Sequence, residues 1–433
     1  MTSTPFSPER QAALLKSAVS KNVWRLVPLL VLGYFFNYID RTSVSFAALQ
    51  MNKDIGLTEA QFGFGAGIMF ASYCLLEVPS NMALYRVGAR RWMARIMITW
   101  GLAAAATAFA VGPHSFYAIR FMLGVFEAGF FPGVIYFLSD WFPARTRTAV
   151  LGWFMCGTPL SSVVGGPVSS ALLGLNGWMG LKGWQWLFVL EGLPACLLGV
   201  LCLWVLADKP AKAKWLSEDE RMALAAALAA EKGERPRTSL LAALKDVRVL
   251  ILCGITFAFT MSSYGVGLWL PLILKTHKLS TMAIGYMSAI PYVFTAVGMM
   301  VWAWQADRDG RKFTHLFAAL ALGCGGFVLS VYAENSLPLA LLAITLALIS
   351  VNSARSVFYT IPQAFLSGPA LASGLAFINA VGASGGFFGP YMVGWLKQAT
   401  GSFNAGMIGL AVVLGLAMVL TALLAAAAKR ARV

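Results

Sequence analysis

Charged side chains are scarce in this 433-residue sequence. They make up 12% of the residues, whereas 59% of the residues are hydrophobic. A water-soluble protein of this length could not keep so large an apolar fraction off its surface. The composition therefore predicts an integral membrane protein.

The residue patterns of enzymes and metal sites are also missing. The six cysteines lie in apolar runs without a CxxC pair, and the three histidines fall at the ends of such runs. The sequence has no GxxxxGK[ST] motif, no HExxH motif and no nucleophile elbow. We therefore expect a protein that is not an enzyme, does not use ATP and has neither a metal site nor a cofactor.

What the sequence has instead is a series of long apolar runs. A helix needs roughly 20 apolar residues to cross a bilayer, and twelve runs are long enough. They lie near 24–50, 62–85, 91–110, 114–140, 148–172, 184–207, 248–276, 283–305, 313–332, 337–363, 370–396 and 403–427, and are numbered here as spans 1 to 12.

The segment between spans 6 and 7 is polar and contains prolines, which is typical of a linker. We predict an all-α membrane protein with an N-terminal six-helix bundle at 1–207 and a C-terminal six-helix bundle at 248–433. The linker at 208–247 is expected to be cytoplasmic and to hold a short surface helix at 217–232.

Positive charge is unevenly distributed between the two sets of loops. The loops on the side of the termini hold 25 Lys and Arg residues, the opposite loops hold 5, and the remaining three, Arg41, Arg120 and Arg355, lie within spans. Loops rich in Lys and Arg stay in the cytoplasm, so both termini are predicted to be cytoplasmic. This bias also accounts for the net charge of +15, and we expect a lipid bilayer rather than nucleic acid as the partner.

An internal repeat relates the two halves of the chain. The turn RVGARR at 86–91, after span 2, matches RDGRK at 308–312, after span 8, at an offset of 222 residues. The Gly-Pro pairs at 166–167 in span 5 and 389–390 in span 11 match at an offset of 223 residues. Parallel six-helix repeats are the architecture of many secondary transporters, which place the substrate site at the repeat interface.

These features, over essentially the whole chain, resemble the major facilitator superfamily. Within it, NYIDRTSVSFAALQMNKDIGL at 37–57, EVPSNMALYRVGARRW at 77–92 and RFMLGVFEAGFFPG at 120–133 resemble the anion:cation symporter family, in particular its bacterial tartrate, phthalate and galactonate branch. One departure is Tyr85, which stands where the superfamily usually has Asp, whereas Asp307 is kept in the second half.

The resemblance implies a monomeric, proton-coupled symporter of the inner membrane that works by alternating access. Its substrate would be a small organic anion: a hydroxy-dicarboxylate such as tartrate, an aromatic carboxylate or a sugar acid. The alternatives are a proton-driven exporter of a metabolite or drug and, from a different class, a membrane receptor that binds a ligand without transporting it.

Four ionisable residues lie well inside spans 1 and 4, namely Asp40, Arg41, Arg120 and Glu127. Such residues are costly in hydrocarbon and usually mark a pathway or a binding site. An arginine stays protonated and can hold a carboxylate through two parallel hydrogen bonds. Burial favours the neutral form of a carboxyl group, and a nearby arginine favours its ionised form. The chemistry therefore permits Arg41 and Arg120 to bind the substrate and Asp40 and Glu127 to carry protons, or both pairs to be structural.

The resemblance favours the functional interpretation. Carriers of this family use one arginine in helix 1 and one in helix 4 for the anion, and acids at the positions of Asp40 and Glu127 for protons. Adjacent helical positions point about 100° apart. We therefore expect the substrate to be the partner of Arg41, and the span 4 pair to be the partner of Asp40.

Neutral polar residues are candidates for hydrogen bonding to hydroxyl groups on the substrate. We expect Tyr264 and Asn379 in the second half, with Tyr38 and Tyr73 in the first half, to contact it; each of the tyrosines is also suited to simple packing. Candidates for a gate at the cytoplasmic ends of the helices are Glu77, Arg86, Arg90, Asp140, Asp307, Arg308 and Arg311.

Two further buried charges allow more than one interpretation. Glu191 in span 6 suits either helix packing or the transport pathway. Arg355 in span 10 suits either a third contact to the anion or a gate.

Overall fold

The computed structural model describes residues 7–231, 246–333, 335–362 and 368–430. Twelve long helices correspond to the twelve predicted spans, and we number them α1 to α12. Their bounds are Pro8–Asp54, Glu59–Val87, Ala89–Phe109, Pro113–Trp141, Ala144–Leu173, Gly183–Val205, Val247–Gly267 (continued by Leu270–Thr276), Thr281–Asp309, Lys312–Tyr332, Leu337–Phe358, Gly368–Thr400 and Asn404–Arg430.

Ten of the helices built from described residues are long and apolar enough to cross a membrane. The other two long helices are α1, which carries the polar stretch 37–43, and α11. The prediction of an all-α membrane fold with twelve spans is confirmed. The domain limits at 207 and 248 remain a prediction, and residues 232–245 of the linker lie outside the described residues.

Helix α4 is broken in its middle, directly after Glu127. Pro132 has no backbone N–H to donate to the carbonyl group of Ala128, and its ring clashes with that carbonyl in a continuous helix. Gly129 takes up the change of direction with a φ of +89°, a conformation open to glycine at little steric cost. Ser80 of α2 supplies the missing donor, with a hydrogen bond of 2.6 Å to the Ala128 carbonyl oxygen.

A short linker helix, Glu218–Glu231, lies close to its predicted position and packs on the first part of α1. Burial alone would raise the pKa of Glu220, but hydrogen bonds from Lys21 (3.0 Å), Ser17 (2.7 Å) and the backbone N–H of Ser217 (2.8 Å) outweigh burial and lower this pKa to about 2. The Glu220 carboxylate therefore stays ionised at neutral pH, and its hydrogen bonds hold the start of the linker on the N-terminal bundle.

The two bundles contact each other from one end of the molecule to its middle. We call this end the Asp54 end, since Asp54 lies there at the end of α1, and the opposite end is the Arg86 end. Near the Asp54 end the backbone N–H of Ala60 donates to the side chain of Gln398 at 3.1 Å, and Lys275 donates to the carbonyl oxygen of Leu49 at 2.8 Å.

Glycines bring the backbones of the two bundles together at this end. A Cβ on Gly63 of α2 would lie 2.4 Å from the carbonyl oxygen of Pro390 in α11, and a Cβ on Gly166 of α5 would lie 2.6 Å from that of Gly285 in α8. Gly63 and Gly285 are 222 residues apart, which is the offset of the internal repeat. The two contacts are therefore repeat-related copies of one close approach.

We predict that Gly166→Ala opens the Asp54 end. The added methyl group meets backbone rather than a flexible side chain, so the helices themselves must move apart. The distance between spin labels at Lys53→Cys and Thr276→Cys, on a background without the six native cysteines, reports the change and should shift to longer values. Gly165→Ala is the matched control, because its Cβ finds its nearest neighbour at 3.7 Å. Identical distance distributions for the two variants would contradict the prediction.

Candidate functional site

Arg41 lies at the middle of the molecule and connects the two bundles. Its Nε donates a hydrogen bond of 2.7 Å to Glu127 Oε1, and its Nη2 contacts the same oxygen. Its Nη1 donates to the Tyr264 hydroxyl group of α7 at 3.3 Å. The Glu127 side chain is completely buried, and that of Arg41 is 12% exposed. One guanidinium group thus forms an ion pair within the first bundle and a hydrogen bond to the second.

The internal repeat explains why Arg41 meets Tyr264. The two residues are 223 positions apart, so they occupy equivalent positions on α1 and α7, the first helices of the two halves. Equivalent positions meet where the axis relating the repeats passes through the molecule, and transporters built in this way bind their substrates there.

Aromatic rings surround the Arg41 guanidinium group. Its Cζ lies 5.5 Å from the ring centre of Tyr38, 5.7 Å from that of Phe70 and 5.2 Å from that of Tyr73. Such contacts stabilise a cation that is removed from water. Three of the four predicted neutral contacts, Tyr38, Tyr73 and Tyr264, therefore lie around one cation. Phe70 was not predicted, since nothing in its apolar run distinguishes it.

Asp40 has a hydrogen-bond partner that the sequence did not predict. Its Oδ2 accepts a hydrogen bond from Nε1 of Trp100 in α3, and the residue is 3% exposed. Glu127, the acid of the span 4 pair, is bonded to Arg41 instead. The Asp40 carboxyl group also lies within electrostatic range of Arg120 and Glu127, the span 4 pair. The hydrogen bond of Asp40 is therefore made to α3, and its pairing with span 4 remains a prediction. Trp100 could have been suspected, since a buried indole N–H needs an acceptor.

Arg120 lies on the inner face of α4, two turns before Glu127. It is 1% exposed, and its Nε and Nη2 atoms have no hydrogen-bond partner among the described residues. Glu127 Oε2 is equally without a partner there. Buried polar atoms left unbonded are costly, so this pair of residues offers unused hydrogen-bonding capacity next to the Arg41 ion pair.

Asn379 does not contact Arg41 through any hydrogen bond of the described residues. It is exposed, and its side-chain oxygen accepts a hydrogen bond of 2.5 Å from the hydroxyl group of Tyr359, the residue after α10. The structure therefore places Asn379 in a contact between α11 and the end of α10. Its role as a substrate contact remains a prediction.

Seven charged residues were predicted to form a gate. Among the described residues, no ion pair joins any two of them in this structure. The backbone N–H of Arg90 donates a hydrogen bond of 3.1 Å to Asp208. Glu77 lies within electrostatic range of Tyr73 and Arg41 rather than of Arg90. The seven residues are Glu77, Arg86, Arg90, Asp140, Asp307, Arg308 and Arg311.

Glu191 joins two helices of the first bundle. Its Oε1 accepts a hydrogen bond of 2.7 Å from Ser169 of α5, and the residue is 3% exposed. This contact fits a packing role between α5 and α6, whereas Glu191 Oε2 has no hydrogen-bond partner among the described residues. Both interpretations of Glu191 remain predictions.

Twelve membrane-spanning helices in two repeat-related bundles, with a buried charge cluster at their interface, define a secondary transporter rather than an enzyme. The model of the Major Facilitator Superfamily matches residues 30–390 and 250–432. The chain belongs to this superfamily, and the resemblance noted in the sequence is confirmed.

Proteins of known name agree with this assignment. The chain is 45% identical to the "Putative tartrate transporter" of Agrobacterium vitis, over 95% of this chain and 92% of that protein. It is 42% identical to the "Quinolone resistance transporter" of Acinetobacter baumannii, over 94% of both chains. A bacterial homologue of the human lysosomal transporter Spinster, solved in an inward-facing and occupied conformation, shares the fold with a TM-score of 0.78 at 17% identity, over 92% of this chain and 96% of that chain.

We predict that Trp100→Phe destabilises the first bundle, because Asp40 loses its hydrogen-bond donor while remaining buried. The expected cost is about 1–3 kcal/mol, measured as a lower thermal unfolding temperature of the purified protein. Trp141→Phe is the control: Trp141 is also fully buried, but its Nε1 has no acceptor among the described residues. Equal losses of stability in the two variants would show that the Asp40 hydrogen bond contributes nothing beyond ring packing.

Proposed function

We propose that the protein is a proton-coupled symporter that imports a small organic anion across a bacterial inner membrane, with both termini in the cytoplasm. The observation that carries this proposal is the buried ion pair between Arg41 and Glu127, with Tyr264 of the other bundle on the same guanidinium group.

The ion pair provides a way to couple the proton to the anion. While Glu127 is ionised, it forms an ion pair with Arg41. A proton on Glu127 removes the charge that holds Arg41, and the guanidinium group becomes available to a substrate carboxylate. Conversely, a carboxylate on Arg41 leaves Glu127 without its counter-ion and favours its protonated form. Proton and anion then bind together and are released together.

Neighbouring residues extend this pair into a site. Arg120, with two unbonded nitrogen atoms, provides a second contact to the anion once the cluster rearranges. Asp40, held by Trp100, is the second proton carrier. Tyr38, Tyr73 and Tyr264 present hydroxyl groups around Arg41 for hydroxyl groups on the substrate, and Asn379 contributes from α11.

The contact between the bundles suggests which state the structure represents. With the termini in the cytoplasm, the Asp54 end faces outward, and the glycine contacts there close the outer side. The site is then reached from inside, at the Arg86 end. Movement of the bundles about the central site would open the Asp54 end and bring the seven gate residues together in the outward-facing state.

The substrate class follows from the charge of the site and is supported by the relative named as a tartrate transporter. A hydroxy-dicarboxylate, an aromatic carboxylate and a sugar acid all offer a carboxylate for Arg41. We propose that the carrier works as a monomer, with the complete site formed by one chain.

A second candidate function is proton-driven export. The relative named as a quinolone resistance transporter is 42% identical. Chains of similar identity to this one are therefore named for tartrate transport and for drug resistance. The direction of proton-driven flux distinguishes the two functions: an acidic outside drives accumulation by an importer and expulsion by an exporter.

We predict that Glu127→Gln separates substrate exchange from proton drive. In proteoliposomes with an acidic outside, the wild type should concentrate labelled tartrate. The variant should exchange tartrate across the membrane but not concentrate it, because glutamine cannot carry a proton.

Glu218→Gln, which changes an exposed acid of the linker helix, is the control and should behave as the wild type. Normal accumulation by Glu127→Gln would remove Glu127 from the coupling mechanism. Expulsion of substrate by the wild type under the same gradient would establish export instead.

A further inference from the structure

Arg355 of α10 faces the same central region as Arg41, from the other bundle. Its Cζ lies 5.7 Å from the ring centre of Phe259, a completely buried residue of α7. Tyr38 and Tyr264 lie within electrostatic range of Arg355, and both also lie within this range of Arg41. Two guanidinium groups, one from each bundle, therefore share one pair of tyrosines.

The two arginines differ in their counter-ions. Arg41 has Glu127, whereas Arg355 has no ion pair with any described residue. The ionisable groups near Arg355 are the hydroxyl groups of Tyr34, Tyr38, Tyr264 and Tyr359, and tyrosine is neutral at physiological pH. A cation taken out of water without a counter-ion is costly, so this position favours an anionic ligand.

Protonation of Glu127 would leave Arg41 without its ion-pair partner, and Arg355 has no such partner among the described residues. The site would then present one free guanidinium group on α1 and another on α10, with the hydroxyl groups of Tyr38 and Tyr264 near both. A monocarboxylate can neutralise one of these cations. An anion with a carboxylate at each end can neutralise both, and hydroxyl groups along its middle would meet Tyr38 and Tyr264.

We propose that Arg355 binds a second carboxylate, so that the transported anion is a dicarboxylate held between Arg41 and Arg355. This inference rests on the proposed function, because it assumes that the cluster around Arg41 is the substrate site. It also gives substrate binding a mechanical consequence: a dianion that contacts both bundles draws them together at the Arg86 end, as closure of that end requires.

Equilibrium binding to the purified protein tests the proposal, using tartrate, succinate and phthalate as dicarboxylates and glycerate and galactonate as monocarboxylates. The wild type should bind at least one dicarboxylate more tightly than either monocarboxylate. Arg355→Gln should weaken dicarboxylate binding by about tenfold to a hundredfold, since one charged hydrogen-bonded contact is lost, and should change monocarboxylate binding by less than about threefold.

Two further variants make the result specific. Arg355→Lys keeps the charge and should retain the preference for dicarboxylates. This variant also tests the proposal if Arg355→Gln folds poorly. Arg95→Gln is the matched control: Arg95 is likewise partly buried over aromatic rings, with Cζ 4.6 Å from the ring centre of Trp92, and its loss should leave both classes of ligand unaffected.

Two outcomes would overturn the role of Arg355. One is equal weakening of both ligand classes by Arg355→Gln, and the other is a wild type that binds monocarboxylates as tightly as dicarboxylates. Because binding is measured without a proton gradient, either result leaves proton-coupled symport standing. Binding of no anion in the panel would instead overturn the proposed function and, with it, this inference.

Discussion

The buried ion pair between Arg41 and Glu127 is the constraint on which the rest of the structure depends. Removing two charges from water costs several kcal/mol for each ion, and pairing recovers this cost only with good geometry. The chain provides that geometry: Pro132 breaks α4 directly after Glu127, Ser80 satisfies the freed carbonyl group, and aromatic rings enclose the guanidinium group. A pair that is expensive to bury and easily changed by one proton is suited to a switch rather than to a fixed support.

The internal repeat places this switch where movement of the bundles can act on it. Arg41 and Tyr264 are repeat-related, and so are the glycine contacts of Gly63 and Gly285 at the Asp54 end. The glycine contacts of Gly63 and Gly166 therefore lie at one end, while the charge cluster lies between the two halves. A rotation that separates the glycines would change the distance across the cluster, which links the protonation state of Glu127 to the conformation of the whole molecule.

The sequence predicted more of the fold than of the contacts within the site. Apolar runs specified the helices, and two short motifs specified the repeat, because both signals are local. Charges inside apolar runs identified Arg41 and Glu127 for the same reason. The hydrogen-bond partner of Asp40 was missed, since helical spacing gives the direction of a side chain but not the identity of the helix that it faces. Asn379 was grouped with the cluster on composition alone, whereas its placement against Tyr359 depends on how α10 packs against α11.

The most direct test of this account is the number of protons taken up when the purified protein binds substrate. Tartrate added to protein in weakly buffered solution near neutral pH, with a pH-indicator dye, reports this number. If a carboxylate on Arg41 displaces Glu127, the wild type takes up protons on binding, and the uptake falls in Glu127→Gln although tartrate still binds. Binding without proton uptake by the wild type, or equal uptake by the two proteins, would contradict the claim that Glu127 exchanges Arg41 for a proton.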